Sequence, residues 1–246
     1  MGQHDKHLIG YARGKGSNLG KAENMRSSWQ QFIRLHSNPT RTGETRKQYD
    51  KLSVEEKLDK KSVDGWISPA QCKDNKRKLV NILPRDLIAL DIDHADEHIL
   101  TMIEMGLTPL SDYEFYAHVT RSHLTGSPRV RLWLPLDGTA SREEAGPLTR
   151  LIAWDFDGRG ATIKQVDVVS VRPAQMMFLP TLCKDGEWWS YRNEGKLLNP
   201  QQRLEEHGDW RNLALLPRFE GENELRISAE KAENPLEKKE IGRAHV

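Results

Sequence analysis

Leu87-Ile88-Ala89-Leu90-Asp91-Ile92-Asp93 is an apolar run closed by two carboxylates at i and i+2, with Arg85 and Asp86 just before it. A run of this character reads as a buried β-strand, and side chains two apart on a strand point to the same face. Asp91 and Asp93 are therefore expected to project together, about 6.6 Å apart at roughly 3.3 Å per residue. At an effective dielectric of about 20 such charges repel by about 2.5 kcal/mol. A strand end sustains that when a cation lies between the carboxylates, and hard oxygen ligands suit Mg2+ or Mn2+. Asp is equally at home where a strand gives way to a loop, and His94-Ala95-Asp96 reads as the start of a solvated turn.

Composition bounds the rest. The chain has 246 residues, 37% hydrophobic and 30% charged, which is a polar globule of one large domain or two small ones. It contains no run long and apolar enough to span a bilayer and no signal-peptide core near Met1, so a cytoplasmic protein without a membrane segment is expected. Cys72 and Cys183 lie far apart, match no metal-ligand spacing, and read as free thiols. A formal charge of +1 excludes a basic nucleic-acid coat. Lys73, Lys76, Arg77, Lys78 and Arg85 nevertheless crowd ahead of the acidic pair, as a solvated face or as a surface that holds phosphates.

Along the chain, Met25, Trp29, Phe32, Ile33 and His36 have helical spacing and predict an amphipathic helix over 22–36. Ser53 with Glu56 has capping-box spacing and starts a second helix. The glycine-rich stretch 14–21 lacks the spacing and the Ser or Thr of a phosphate-binding loop and reads as a flexible loop. A helix over 97–105 stops at Gly106, and 113–120 reads as a strand. After a turn at Gly126-Ser127-Pro128, Val130, Leu132, Leu134 and Leu136 alternate with Arg129, Arg131 and Trp133, the pattern of a half-buried strand. Ser141 with Glu144 opens a helix that must absorb Pro147, 175–179 reads as a strand, and Asn199-Pro200 reads as an N-cap with a first-turn proline. The alternation predicts a mixed α+β sheet. From about Glu220 the chain is charged and reads as a linker or frayed helix.

A third acid, Asp167, sits between β-branched residues in Val166-Asp167-Val168-Val169. Thr120-Arg121-Ser122-His123 ends the strand before Arg129 and Arg131, whose guanidinium groups suit phosphate oxygens. Three acids for metal, with His and Arg for a triphosphate, form the minimal set for nucleotidyl transfer by two ions about 3.5–4 Å apart.

The order of these pieces resembles the archaeo-eukaryotic primase (primase-polymerase) superfamily, and within it the N-terminal primase domain of phage and mobile-element primase–helicases. The resemblance runs over about 40–195 and rests on TGETRKQY (42–49), Gly65-Trp66, Lys76-Arg77-Lys78 through Asn81, LIALDID (87–93), TRSHLTGSPRVRLWLPL (120–136) and DVVSVRPAQMMFLP (167–180). It implies an RRM-like mixed or antiparallel sheet, the palm, packed with an N-terminal α/β module. It further implies that Asp91, Asp93 and Asp167 are catalytic and hold two Mg2+ or Mn2+ ions. Ser122 and His123 match the family's Ser-x-His nucleotide motif without its intervening residue, so Arg129 or Arg131, where many relatives place the histidine, is the other candidate for that role. Arg172 would join them around the nucleotide, with Lys76, Arg77 and Lys78 on nucleic acid. The implied partners are a single-stranded DNA template, NTP or dNTP, and a helicase domain further along the protein.

The expected division is an N-terminal loop and helix (1–40), a catalytic domain (41–200) and a linker or helical tail (201–239). Residues 240–246 read as a non-native tail of the kind a sequencing-library adapter encodes. Two other classes compete. One is a non-catalytic nucleic-acid-binding replication or regulatory module. The other is a phosphatase of the haloacid dehalogenase type, which also begins with Asp-x-Asp but normally continues with a small residue and Thr or Val where His94-Ala95 stands here. A nicking relaxase is disfavoured, because no His-hydrophobic-His motif is present.

Overall fold

In the computed structural model, which describes residues 2–16 and 20–222, the apolar run forms β5 (Arg85–Ile92). Its alternate side chains enter two different cores: Ile88, Leu90 and Ile92 the larger, Leu87 and Ala89 the smaller. β5 pairs antiparallel with β7 (Val130–Ala140), β7 with β6 (Phe115–Val119), and β6 with β11 (Ser190–Asn193). On the open side of β5, Val166 bridges Ile92 antiparallel, and the Asp167 N–H donates to the Asp91 carbonyl at 2.7 Å. Helix α4 (Ile99–Glu104) links β5 to β6, and α5 (Arg142–Phe156) runs between β7 and Val166. The connectivity is therefore βαββαβ, with the last, short strand beside the first. That is the arrangement of an RNA-recognition-motif sheet, here extended by β11.

Helices α5 and α6 (Pro200–His207) cover one face, sending Leu148, Leu151, Ile152 and Leu204 into the larger core. Their starts are local chemistry. Ser141 and Glu144 cap α5 reciprocally, with Pro147 accommodated in the second turn, and Asn199 caps α6 with Pro200 in the first turn. Ser53 and Glu56 cap α3 (Val54–Lys61) in the same reciprocal way.

The opposite face is covered by an N-terminal layer. A second sheet runs in the order β2 (Glu23–Ser28), β1 (Leu8–Gly14), β4 (Trp66–Ser68), β9 (Met177–Phe178). Helix α1 (Trp29–His36) sets Trp29 and Phe32 against Trp133 and Leu87. β3 (Thr40–Arg41) pairs with β10 (Thr181–Leu182), and α2 (Arg46–Asp50) precedes α3. β8 (Thr162–Ile163) pairs with β12 (Arg218–Phe219).

Several expectations change here. Only the second half of 22–36 is helical. Glu23–Ser28 hydrogen-bonds to β1 as an edge strand, and Ser28, capped reciprocally by Gln31, starts the helix. Asn24, Ser27 and Ser28 compete with the helical backbone for hydrogen bonds, which favours that ending. From Val130 to Leu136, β7 is buried on both faces, because the N-terminal layer covers Trp133 completely. The strand expected at 175–179 shortens to Met177–Phe178. Divisions at 40 and 200 do not follow the packing. β1 and α1 share a core with β5, and Trp210, Leu216 and Phe219 belong to the larger core, so 201–219 is part of the folded body. The linker beyond 222, the tail 240–246 and residues 17–19 of the glycine-rich stretch lie outside the described residues.

Gly14, the first glycine of that stretch, has a packing role: a Cβ there would overlap the Trp66 indole. Gly14→Ala is expected to lower unfolding stability by about 1–3 kcal/mol, the usual range for overpacking. Gly43→Ala, which meets nothing within 4 Å, should leave the urea midpoint near wild type. Equal midpoints for the two variants would refute the packing role.

Candidate active site

Residues directly opposite on antiparallel strands share a face. The register of the central sheet therefore lays Asp167, Asp91, Arg131 and His118 in one row. Two residues along, just past the end of β5, Arg129 meets Asp93.

The pairs are specific. Arg131 donates from Nε to Asp91 Oδ1 at 2.7 Å and from Nη2 to Oδ2 at 3.3 Å, the planar fork that a carboxylate matches. Its remaining Nη1 donates to the Phe178 carbonyl at 2.8 Å. Arg129 Nη1 donates to Asp93 Oδ2 at 3.1 Å. The repulsion anticipated between Asp91 and Asp93 is thus offset by guanidinium groups from the neighbouring strand. Asp167 is turned to its own backbone, accepting the Val169 N–H at 3.0 Å as the cap of a single 3-10 turn.

These side chains line a cavity of about 250 Å³ between the sheet and the N-terminal layer. Asp91, Asp93 and Asp167 form its acidic wall. Lys61, from the end of α3, and Arg121, Arg129 and Arg131 bring positive charge, with Thr120, Ser122 and Gln175 between them. Arg121 is held by Glu44 and Thr42, and lies 4.5 Å from the Tyr49 ring centroid. Among the described residues Lys61 makes no ion pair with any acid.

Burial pushes the Asp93 carboxyl above its usual value, and the like charges of Asp91 and Asp167 add to that while Arg129 and Arg131 oppose it. Burial holds the Lys61 amine below its usual range, with Asp93 opposing. His118 is neutral for two reasons. Burial lowers its pKa well below the ordinary value. Its Nδ1–H donates to the Val119 carbonyl, leaving Nε2 to accept the Trp133 Nε1–H at 3.3 Å, so no second proton fits without losing that bond. His36, centred 5.7 Å away, is pushed down to about 3 by burial.

The other sequence candidates fall elsewhere. His123 lines the adjoining cleft with Arg121, Cys183 and Glu187 instead of this cavity. Arg172 is exposed beyond the 3-10 turn. Lys76 and Lys78 are exposed, but Arg77 is half-buried, lies over the Trp66 ring and donates to the Ala174 carbonyl. Arg85, fully buried, donates to the Pro173 carbonyl at 2.7 Å. These two arginines of the basic cluster therefore hold the backbone that carries Gln175 and Met176 to the cavity. Sequence reasoning missed Lys61, Arg121 and His118. A histidine inside an otherwise apolar strand, two residues before Thr120, was the available signal for His118; nothing in the linear pattern linked Lys61 to a strand some thirty residues away.

Three carboxylates suit a hard divalent cation in kind, and the raised Asp93 marks negative charge that such an ion would neutralise. As they stand, no three His, Cys, Asp or Glu side chains among the described residues form a metal-binding set; Asp91 faces Arg131 and Asp167 faces its own turn. Because the folded value of Asp93 is raised, its ionisation costs folding free energy as pH climbs from the unfolded value, 3.8, through the folded one. Asp93→Asn should match wild type in Tm below pH 3.8 and exceed it by a few degrees at about pH 7. A lower Tm for the variant at neutral pH would overturn this balance.

A family model described as the VapE N-terminal domain matches residues 2–219. Among solved structures, the chain is similar to the AEP domain of the Cyanophage S-2L primase-polymerase (PrimPol), at 14% identity and a TM-score of 0.40 over 82% of this chain and 89% of that one. It is also similar to the polymerase domain of Mycobacterium tuberculosis ligase D in complex with DNA, at 11% identity and a TM-score of 0.37 over 87% of this chain and 85% of that one. No curated protein matches the sequence. With one family model spanning nearly all of its described residues, the chain belongs to the VapE N-terminal domain family.

Proposed function

We propose that this chain is a primase-polymerase domain that joins nucleoside triphosphates, ribo- or deoxyribo-, on a single-stranded DNA template. The observation that carries the reading is the meeting of Asp91, Asp93 and Asp167 with Lys61, Arg129 and Arg131 on one cavity. The reaction forms a bond from the 3′ hydroxyl oxygen to the α-phosphorus, breaks the bond to the bridging oxygen and releases pyrophosphate, with the hydroxyl proton passing to solvent. Asp91, Asp93 and Asp167 would hold two Mg2+ or Mn2+ ions, which when bound would supply neutralisation of the charge that develops on the transferring phosphoryl group. Lys61, Arg129 and Arg131 hold the triphosphate, while Thr120, Ser122 and Gln175 offer neutral hydrogen bonds. His123 and Arg172 lie outside the cavity and are assigned to the path of the nucleotide or template beside it. Lys76 and Lys78, exposed, are left for the nucleic-acid backbone. Fixed charges around a partly enclosed cavity supply rate by positioning and charge neutralisation. A helicase domain in the same protein fits a primer-making role in phage, plasmid or mobile-element replication inside the cell.

A second reading has one specific observation behind it. Asp91 and Asp93 are both paired with arginines, a closed state compatible with a non-catalytic nucleic-acid-binding module. The phosphatase reading is weaker, because both oxygens of Asp91, its nucleophile, are engaged by Arg131.

The test is primer synthesis from single-stranded DNA, Mn2+ and labelled nucleotides, with wild type and Asp91→Ala compared after circular dichroism confirms both are folded. Loss of at least about a hundredfold in incorporation is expected. Wild-type rates in the variant would refute the assignment; DNA binding without incorporation by wild type would favour the second reading, and a trapped phosphoenzyme the third.

A further inference from the structure

The cavity holds its charges in closed pairs. Arg131 occupies both oxygens of Asp91, and the two side chains are only 11% and 13% exposed. Arg129 is paired with Asp93. A bare divalent cation entering here must displace guanidinium from carboxylate, and a bare polyphosphate must displace carboxylate from guanidinium. Arriving together, each ligand takes the partner that the other releases: carboxylates turn to metal, guanidiniums to phosphate oxygens. Lys61 and Asp167 stand apart from this exchange. Both line the cavity, yet Lys61 has no ion-pair partner among the described residues and Asp167 is tied only to the Val169 N–H.

We propose that Arg131 with Asp91, and Arg129 with Asp93, form exchangeable internal ion pairs that make the cavity accept a divalent cation and a polyphosphate as a couple and resist either alone. The proposal deepens the nucleotidyl-transfer reading and rests on it. It makes the two arginines phosphate-binding residues whose pairing state reports whether the metal side is filled. The coupling is reciprocal by thermodynamic necessity: whatever factor metal adds to phosphate affinity, phosphate adds to metal affinity.

The separating experiment measures each ligand alone, so that chelation in solution plays no part. Binding of Mn2+ without nucleotide is followed by electron paramagnetic resonance of the free ion. Arg131→Gln and the more exposed Arg129→Gln should each tighten Mn2+ binding by about tenfold or more, within the usual range of coupling factors. Lys61→Gln removes one charge from the same cavity without opening a pair and should shift it by no more than about threefold, the scale of a single screened charge. Binding of inorganic tripolyphosphate in the presence of a chelator supplies the mirror test. Asp91→Asn should tighten it by about tenfold or more, while Asp167→Asn, which keeps the turn cap, should move it little. Calorimetric melting of each variant identifies any that fail to fold, and the Arg129 and Asp91 arms stand independently of Arg131. Equal shifts from paired and unpaired variants would overturn the proposal while leaving the functional reading intact. Failure of wild type to bind Mn2+ and tripolyphosphate under any condition, including together, would sink both.

Discussion

The antiparallel register that sets Asp91 opposite Arg131 is the constraint on which the site depends. Side chains alternate along a strand, so a slip of one residue would turn Asp91 toward the large apolar core and Ile88, Leu90 and Ile92 toward the other face. The burial of Ile88, Leu90 and Ile92 on one face and of Leu87 and Ala89 on the other forbids that slip. The charges are thus positioned by hydrophobic packing and only then tuned by each other. Removing one member of the buried Arg131–Asp91 pair leaves an uncompensated charge, a loss of about 3–5 kcal/mol in comparable settings.

The two-layer construction explains why the cavity sits where it does. An RNA-recognition-motif sheet alone would expose its second face. Here α1 and the β2-β1-β4-β9 sheet cover that face except over the last residues of β5 and the first of β7, and α3 closes the opening with Lys61. Behind the charged wall lies an aromatic floor: Phe32 and His36 have ring centroids 4.3 Å apart, and His36 stands 5.0 Å from Trp133. Because both histidines stay neutral, the floor adds no competing charge and lowers the local dielectric, which strengthens each pair above it.

What was readable in the sequence was local. The apolar run with its acids, the reciprocal caps at Ser53 and Ser141, and the Asn199-Pro200 start each depend on residues within one turn or one strand. The α+β class followed from them, and most of the cavity's charged residues were already in view. Long-range packing was not readable. Residues 23–28 join a sheet because β1 offers an unpaired edge, and Trp133 is inside because a separate layer lies on it. Lys61 reaches the acids only through the path of α3, and Arg77 is drawn inward by the Trp66 ring and a carbonyl about a hundred residues on. The catalytic domain was expected to end near 200, yet Trp210 and Phe219 return to the core.

The inward turn of Arg77 and Arg85 also changes which basic side chains the molecule presents to solvent. A guanidinium turned inward to the Ala174 or Pro173 carbonyl is not placed to neutralise a phosphate, and so would displace none of the counterions condensed on a nucleic acid. Of the basic cluster, Lys73, Lys76 and Lys78 are the members left facing water. Were a polyanion to dock in that region, the cations that could reach it would be these three and not five.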